Sequence, residues 1–389
     1  MPPQTGAQLA YGTFEFGLSR EQEERATRLH QECLIIDCLF QGPLGYQSLS
    51  GEVEERYEAL WAEAGPAAAR YAAFLLGYQL ALEIPDQAEA WRENWLGSGI
   101  TGGNRQFVLG ANFLEFMSYN QAVFDRFDWL TKAVRAADFK QAKERGTAAG
   151  YLSTQDTTGI DKDVAIVDVA HRFGTRMIGL TYNSQNYVGS GCTDRADGGV
   201  SSFGAKFIKR MNEVGVIVDT AHSGPRTTLD AAALSTQPVV ASHTSAAALL
   251  AHQRAKSDDE LRAIAQTGGV IGIMAVPFVL APGDGVTVQA WLDHVDYVAN
   301  LIGSQHVAIG TDWPLHRPKA ILRRLGELDA RIGFGPEDRI DWPTNLIGFD
   351  DYRDMPNLTR GLVGRGYSDE EIAGILGLNF LRVFEAVCG

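Results

Sequence analysis

The chain has 389 residues, 45% hydrophobic and 21% charged, an ordinary globular composition for one large α/β barrel or two smaller domains. Its formal net charge of −14 excludes the basic face that nucleic acid or an anionic membrane surface requires. No run of about 18 apolar residues predicts a membrane span, and four scattered cysteines without a CxxC predict no disulfide framework.

Residues 1–18 read as an irregular arm with neither the basic start nor the apolar core of a secretory signal, so a reduced, cytoplasmic setting is expected. "SREQEERATRLHQE" (19–32) is a charged helix with Ser19 as N-cap. "LIIDCLFQGP" (34–43) is a buried strand stopped by Gly42 and Pro43. Residues 52–95, rich in Ala, Glu, Leu and Trp, predict a helical insertion broken near Gly65–Pro66. "GSGITGGNR" (97–105) reads as a glycine-rich loop, with a weak strand after it near 106–112.

From residue 120 onward, amphipathic stretches alternate with short apolar runs: 148–154, 176–182, 215–222, 238–244, 268–275 and 306–313. Such runs between helices are the pattern of buried parallel strands. With 34–38 and 106–112 they number eight, and a (β/α)8 TIM barrel is the natural closure. The whole chain, 1–389, is therefore expected to form a single barrel domain with an N-terminal arm and the insertion at about 52–95.

Catalytic groups of such barrels stand at the C-terminal ends of the strands. His222 ends "IVDTAH", His243 ends "VVASH" and Asp312 ends "VAIGTD". Two imidazoles and a carboxylate converging on one mouth are a donor set that suits zinc.

The segments "VGVIVDTAHSGPRT", "QPVVASHTSAAAL", "AHQRAKSDDELRAIAQTGGVIGI", "HVAIGTDW" and "MPNLTRGLVGRGYSDEEIAGILGLNFLRVFEAV" resemble the membrane (renal) dipeptidase family in order and spacing, from about residue 145 to the C-terminus. The resemblance implies an amidohydrolase-type (β/α)8 barrel that hydrolyses dipeptides with two zinc ions at its mouth. It implies that His222 and His243 hold one zinc, and that Asp312 binds the other and handles the proton of the attacking water. It also implies that Arg254 engages the substrate.

The same resemblance exposes departures. The family's first strand ends in Asp-Gly-His-Asn-Asp; here "DCLFQ" keeps Asp37 but places Leu39 and Gln41 at the two ligand positions. The family's bridging glutamate is Gln155, and the histidine that polarises the substrate carbonyl is Tyr182. Leucine cannot ligate, and a neutral amide is a poorer ligand than a carboxylate. At most one zinc ion is therefore expected, on His222 and His243, with Gln155 as a weak third oxygen and Asp312 nearby. Asp156 would replace Gln155 only through a one-residue slip. Cys38 is expected on the strand face opposite Leu39 and Gln41, as a structural residue. Tyr182, Gln155, Arg254, Trp313 and His316 are the expected substrate-binding groups.

Three functions follow. The first is a hydrolase with one metal acting on a small, anionic, amide or peptide-like substrate. The second is a lyase, decarboxylase or isomerase on the same barrel. The third is a catalytically inactive homologue. The partner is a small molecule in either enzymatic case. The family usually forms dimers, which leaves a homodimer open.

Overall fold

The computed structural model describes residues 11–40, 81–110, 112–312 and 345–389, with isolated positions between 55 and 79 and between 333 and 340. Gln41, Trp313, His316 and most of the expected insertion at 52–80 lie outside the described residues. Helix Pro85–Gly97 covers the end of that insertion.

Among the described residues nine parallel strands are present: β1 (Ile36–Asp37), β2 (Gly102–Gln106), β3 (Leu130–Lys132), β4 (Ala148–Thr154), β5 (Thr175–Gly179), β6 (Ile217–Asp219), β7 (Val239–Thr244), β8 (Ile271–Ile273) and β9 (Val307–Ile309). Their order is β2-β1-β9-β8-β7-β6-β5-β4-β3, and a further pairing of β2 with β4 closes eight of them into a barrel. β3 stays outside the ring, on the first residues of β4 (Leu130 opposite Ala148). The chain is thus a (β/α)8 barrel, as the alternation of apolar runs and helices predicts.

Alternation along each strand sorts the core into two sets. Ile36, Cys38, Ala149, Tyr151, Met177, Ile217, Val240 and Ala308 fill the barrel interior. Phe139, Phe380 and Phe384 from the surrounding helices join this cluster. The alternate residues, among them Ile35, Leu152, Ile178, Val218, Ala241, Ile273 and Ile309, face the helices and meet Phe207, Met211, Leu261, Ile264, Trp291 and Val295. Ser19 caps helix Arg20–Glu32 in a reciprocal box with Gln22, as expected from its position.

Two expectations change here. The second barrel strand is not 106–112; it is Gly102–Gln106, which meets that run only at Gln106 and otherwise lies in the stretch that reads as a loop. The sequence hides it because its residues are glycine and polar. A Cβ at Gly103 would lie 2.5 Å from the Phe40 ring, so glycine lets β1 and β2 approach. Asn104 replaces apolar packing with bonds: its Oδ1 accepts from Phe40 N (2.5 Å) and its Nδ2 donates to Ser153 Oγ (2.9 Å). β3 has no counterpart among the expected strands.

His30 ties the N-terminal helix to the rest. Its Nδ1 meets Thr359 Oγ1 at 2.9 Å and its Nε2 meets Ser98 O at 3.1 Å. Burial pulls the imidazole down from 6.5 to about 4, so it folds in neutral. A depressed histidine contributes stability that is complete above its unfolded value and is lost as pH falls through the folded one. Unfolding experiments are expected to show a loss of about 3 kcal/mol between pH 6.5 and 4 that is absent in His30→Gln. An unchanged pH slope in the variant would refute the assignment.

Candidate metal and catalytic site

β4 ends at Thr154 and delivers Gln155 to the barrel mouth; β6 ends at Asp219 and leads to His222; β7 carries His243. His222 Nε2 lies 2.9 Å from Gln155 Oε1 and 2.9 Å from His243 Nε2. His222 Nε2 thus lies between a group that follows β4 and one carried by β7. The Gln155 backbone sits close because β5 has glycine there: a Cβ at Gly179 would be 2.4 Å from Gln155 O. Tyr182 stacks on His222, with ring centroids 4.0 Å apart and planes at 23°.

The far nitrogens of both rings are held. His222 Nδ1 meets Asn183 Oδ1 at 2.7 Å, and the same oxygen accepts from the Cys192 thiol at 3.5 Å. With Asn183 Oδ1 as the acceptor, the His222 proton is assigned to Nδ1. His243 Nδ1 meets Ser242 Oγ at 2.8 Å, and Ser242 in turn donates to Asp219 Oδ2 at 2.6 Å. Burial, then the charges of Arg254 and Lys256, hold the His243 imidazole well below its usual range. It is neutral at pH 7, with its proton on Nδ1.

With both Nδ1 atoms protonated, the two Nε2 atoms present lone pairs to each other, and that of His222 also faces the carbonyl oxygen of Gln155. Three acceptors within hydrogen-bond distance repel unless a cation lies among them. Tetrahedral zinc, with bonds of about 2.0–2.1 Å, sets its ligands roughly 3.3 Å apart, close to the spacings here. The residues fit one metal ion, and a held Nδ1–H is the usual partner arrangement of a ligating histidine.

Asp312 occupies another part of the mouth. It is the one non-glycine residue with positive φ (52°) among the described residues, and its N–H donates to Leu39 O at 2.9 Å. A strained conformation of this kind persists where the surroundings fix it, commonly at functional sites. It lies close enough to Asp37 to raise that carboxyl, which burial chiefly pushes up to about 7. Asp312 does not join His222 and His243 in a cluster: among the described residues, no three His, Cys, Asp or Glu side chains gather as for a metal. The third group at the histidines is Gln155.

Asp156 does not take the place of Gln155. Its Oδ1 accepts from Thr158 N (2.9 Å), Thr158 Oγ1 (2.8 Å) and Tyr182 N (3.1 Å), which turns it into the adjoining loop. Leu39 is fully buried, and Cys38 belongs to the barrel interior with its thiol pushed far up by burial.

Arg254 is only 4% exposed, and its guanidinium donates to two backbone carbonyls, Nη1 to Ala221 O and Nη2 to His243 O. These donors brace the segments that carry the two histidines, beside whatever the side chain offers a substrate. Lys256 works next to it: Nζ donates to Ser223 O (2.6 Å) and Thr228 Oγ1 (2.8 Å) and pairs with buried Glu260 at 3.0 Å.

Asn183, Ser242, Asp219 and Gln106 were not singled out by sequence reasoning. The first three adjoin the quoted motifs, within "TYNS", "ASH" and "VDTAH". Polar residues beside strand-end histidines were a usable signal. Gln106 gave none, because no histidine or acid adjoins it in "NRQFV".

The sequence profile of the membrane dipeptidase family (peptidase family M19) matches residues 108–319 and 332–388, well over half of the chain. The chain belongs to this family. The dipeptidase tcpJ of Claviceps purpurea is 27% identical over 67% of this chain and 56% of its own length. The dipeptidase verJ of Clonostachys rogersoniana is 29% identical over 67% of this chain and 61% of its own. The chain therefore matches a little over half the length of these curated relatives. Among solved structures, an amidohydrolase from Pseudomonas aeruginosa superposes with TM-score 0.75 at 25% identity, covering 94% of this chain and 99% of that one. A metallopeptidase from Rhodobacter sphaeroides, liganded with a phosphinate mimic of L-Ala-D-Ala, gives TM-score 0.64 at 18% identity over 81% of this chain and 97% of its own; this last likeness concerns the fold alone. Among the described residues, no helix of this dipeptidase-family chain is long and apolar enough to cross a membrane.

Proposed function

We propose that this dipeptidase-family chain is a hydrolase of a small, anionic, peptide-like amide that works with at most one zinc ion. The observation that carries the reading is the meeting of three lone-pair donors, Gln155 Oε1, His222 Nε2 and His243 Nε2, with both Nδ1 protons held elsewhere. A zinc ion held there would supply a Lewis acid and bring the pKa of water down to about 7. Asp312 accepts the proton of the attacking water, from a backbone pinned to Leu39 O. Tyr182 offers its phenol to the developing oxyanion in place of an imidazole. The positive charge of Arg254 behind the histidines favours an anionic substrate.

The neutral character of Gln155 and Leu39 favours a second reading, a lyase, decarboxylase or isomerase that keeps the barrel and the two histidines. Turnover in ¹⁸O-labelled water separates the two. Hydrolysis places one solvent oxygen in the acid product. Product without solvent oxygen would refute the hydrolase and establish the second reading.

A further inference from the structure

The geometry points to Gln106 as a positioning residue that fixes which end of the Gln155 amide faces the histidines. This rests on the one-metal reading above and deepens it. Gln155 Nε2 donates to Gln106 Oε1 at 2.8 Å, and the same amide's Oε1 then faces His222 Nε2 at 2.9 Å. Gln106 is itself anchored through its backbone. Its carbonyl accepts from the Tyr78 hydroxyl at 2.6 Å, it lies in register with Ser153 of β4, and the next residue, Phe107, donates its N–H to Ser153 O at 3.1 Å.

The need for such an anchor follows from using an amide where the rest of the family is read as having a carboxylate. A carboxylate presents an oxygen whichever way it turns. An amide presents oxygen one way and an NH2 group the other, and NH2 cannot ligate. In the metal-free protein the reversed amide would even be favoured locally, since its N–H would meet the lone pair on His222 Nε2. An acceptor at position 106 opposes that reversal by taking the N–H on the far side. A donor set of two imidazoles and one neutral amide thus depends on a fourth side chain that a carboxylate site does not require.

The test uses the full chain stripped of metal and titrated with cobalt(II), whose visible absorption reports binding. Gln106→Met keeps the length and removes the acceptor; Gln106→Glu keeps an acceptor. Loss of a hydrogen bond that orients a ligand typically weakens metal affinity by about 10–100-fold. Gln106→Met is expected to show that loss, with Gln106→Glu within a few-fold of wild type. Equal affinities in all three proteins, or equal weakening in both variants, would overturn the assignment.

A metal-free measurement keeps this separate from the metal reading. In ¹⁵N NMR of the stripped protein, the Gln155 side-chain NH2 should be bonded to the acceptor at position 106 in wild type and Gln106→Glu, and in Gln106→Met its signals should shift as the group turns to His222 Nε2. Wild-type protein that binds no cobalt would refute the one-metal reading, and the Gln155 signals would then decide the role of Gln106 alone. The same Gln155 spectrum in all three proteins would refute it.

Discussion

His222→Ala is expected to abolish metal binding. The imidazole stands at the centre of the donor set, within 2.9 Å of both His243 Nε2 and Gln155 Oε1. Its removal leaves one imidazole and one neutral amide. Catalytic zinc sites use three protein ligands, and a two-ligand remnant that includes an amide does not compete with water. The orientation of the ring comes from Asn183, so Asn183→Leu is expected to weaken binding by about 10–100-fold without abolishing it, as losses of such outer partners do. Metal per chain, measured by elemental analysis after dialysis, checks both. Circular dichroism and a melting curve establish that the variants are folded, because the alanine also leaves the Tyr182 ring without its 4.0 Å partner. Partial recovery on adding free imidazole would tie the loss to the missing ligand. Stoichiometric metal retained by His222→Ala would show that the ion sits elsewhere, with Asp312 the first group to examine.

The barrel was legible because buried parallel strands are continuous apolar runs, and "GVIVDTAH", "PVVASHT" and "HVAIGTDW" are such runs ending in polar side chains. His222 and His243 were legible for the same reason: a polar residue that closes an apolar run has to stand at the barrel mouth. β2 was not legible. "GGNRQ" has neither alternation nor β-branched residues, since its glycines serve close approach to Phe40 and Asn104 holds β1 through a hydrogen bond. Gln106, the partner of Gln155, carried no signal of its role, because no histidine or acid adjoins it. Arg254 was picked out through family resemblance, but only tertiary structure brings its guanidinium to Ala221 O and His243 O, carbonyls 33 and 11 residues away in sequence. Periodicity reports which way a residue faces; it carries nothing about which carbonyl a long side chain reaches.

Wild-type turnover of simple L,L- and L,D-dipeptides with zinc supplied is expected to be weak or absent. The family resemblance implies a carboxylate bridge that lets two metals share in activating water. Gln155 is neutral, its Nε2 is committed to Gln106, and Leu39 is fully buried at a position where the family has a ligand. Neither of these two positions supplies an anion to hold two cations at the usual separation of about 3.5–4 Å. Tyr182 lies flat on His222, where the family has an imidazole that polarises the carbonyl. Losing one oxyanion donor costs about 10²- to 10³-fold in rate, and losing a metal should cost more. The matching gain-of-function variant combines Gln155→Glu, Leu39→His and Gln41→Asp. Glutamate at 155 would still face His222, and histidine at 39 would project from the residue whose carbonyl holds Asp312 N. The variant is expected to bind a second zinc ion and to hydrolyse dipeptides that the wild type does not. Wild-type kcat in the ordinary enzyme range of about 1–10³ s⁻¹ on these substrates would refute the departure from dipeptide hydrolysis. Activity confined to the triple variant would trace it to "DCLFQ" and Gln155, where one ligand position became a hydrocarbon and two became amides.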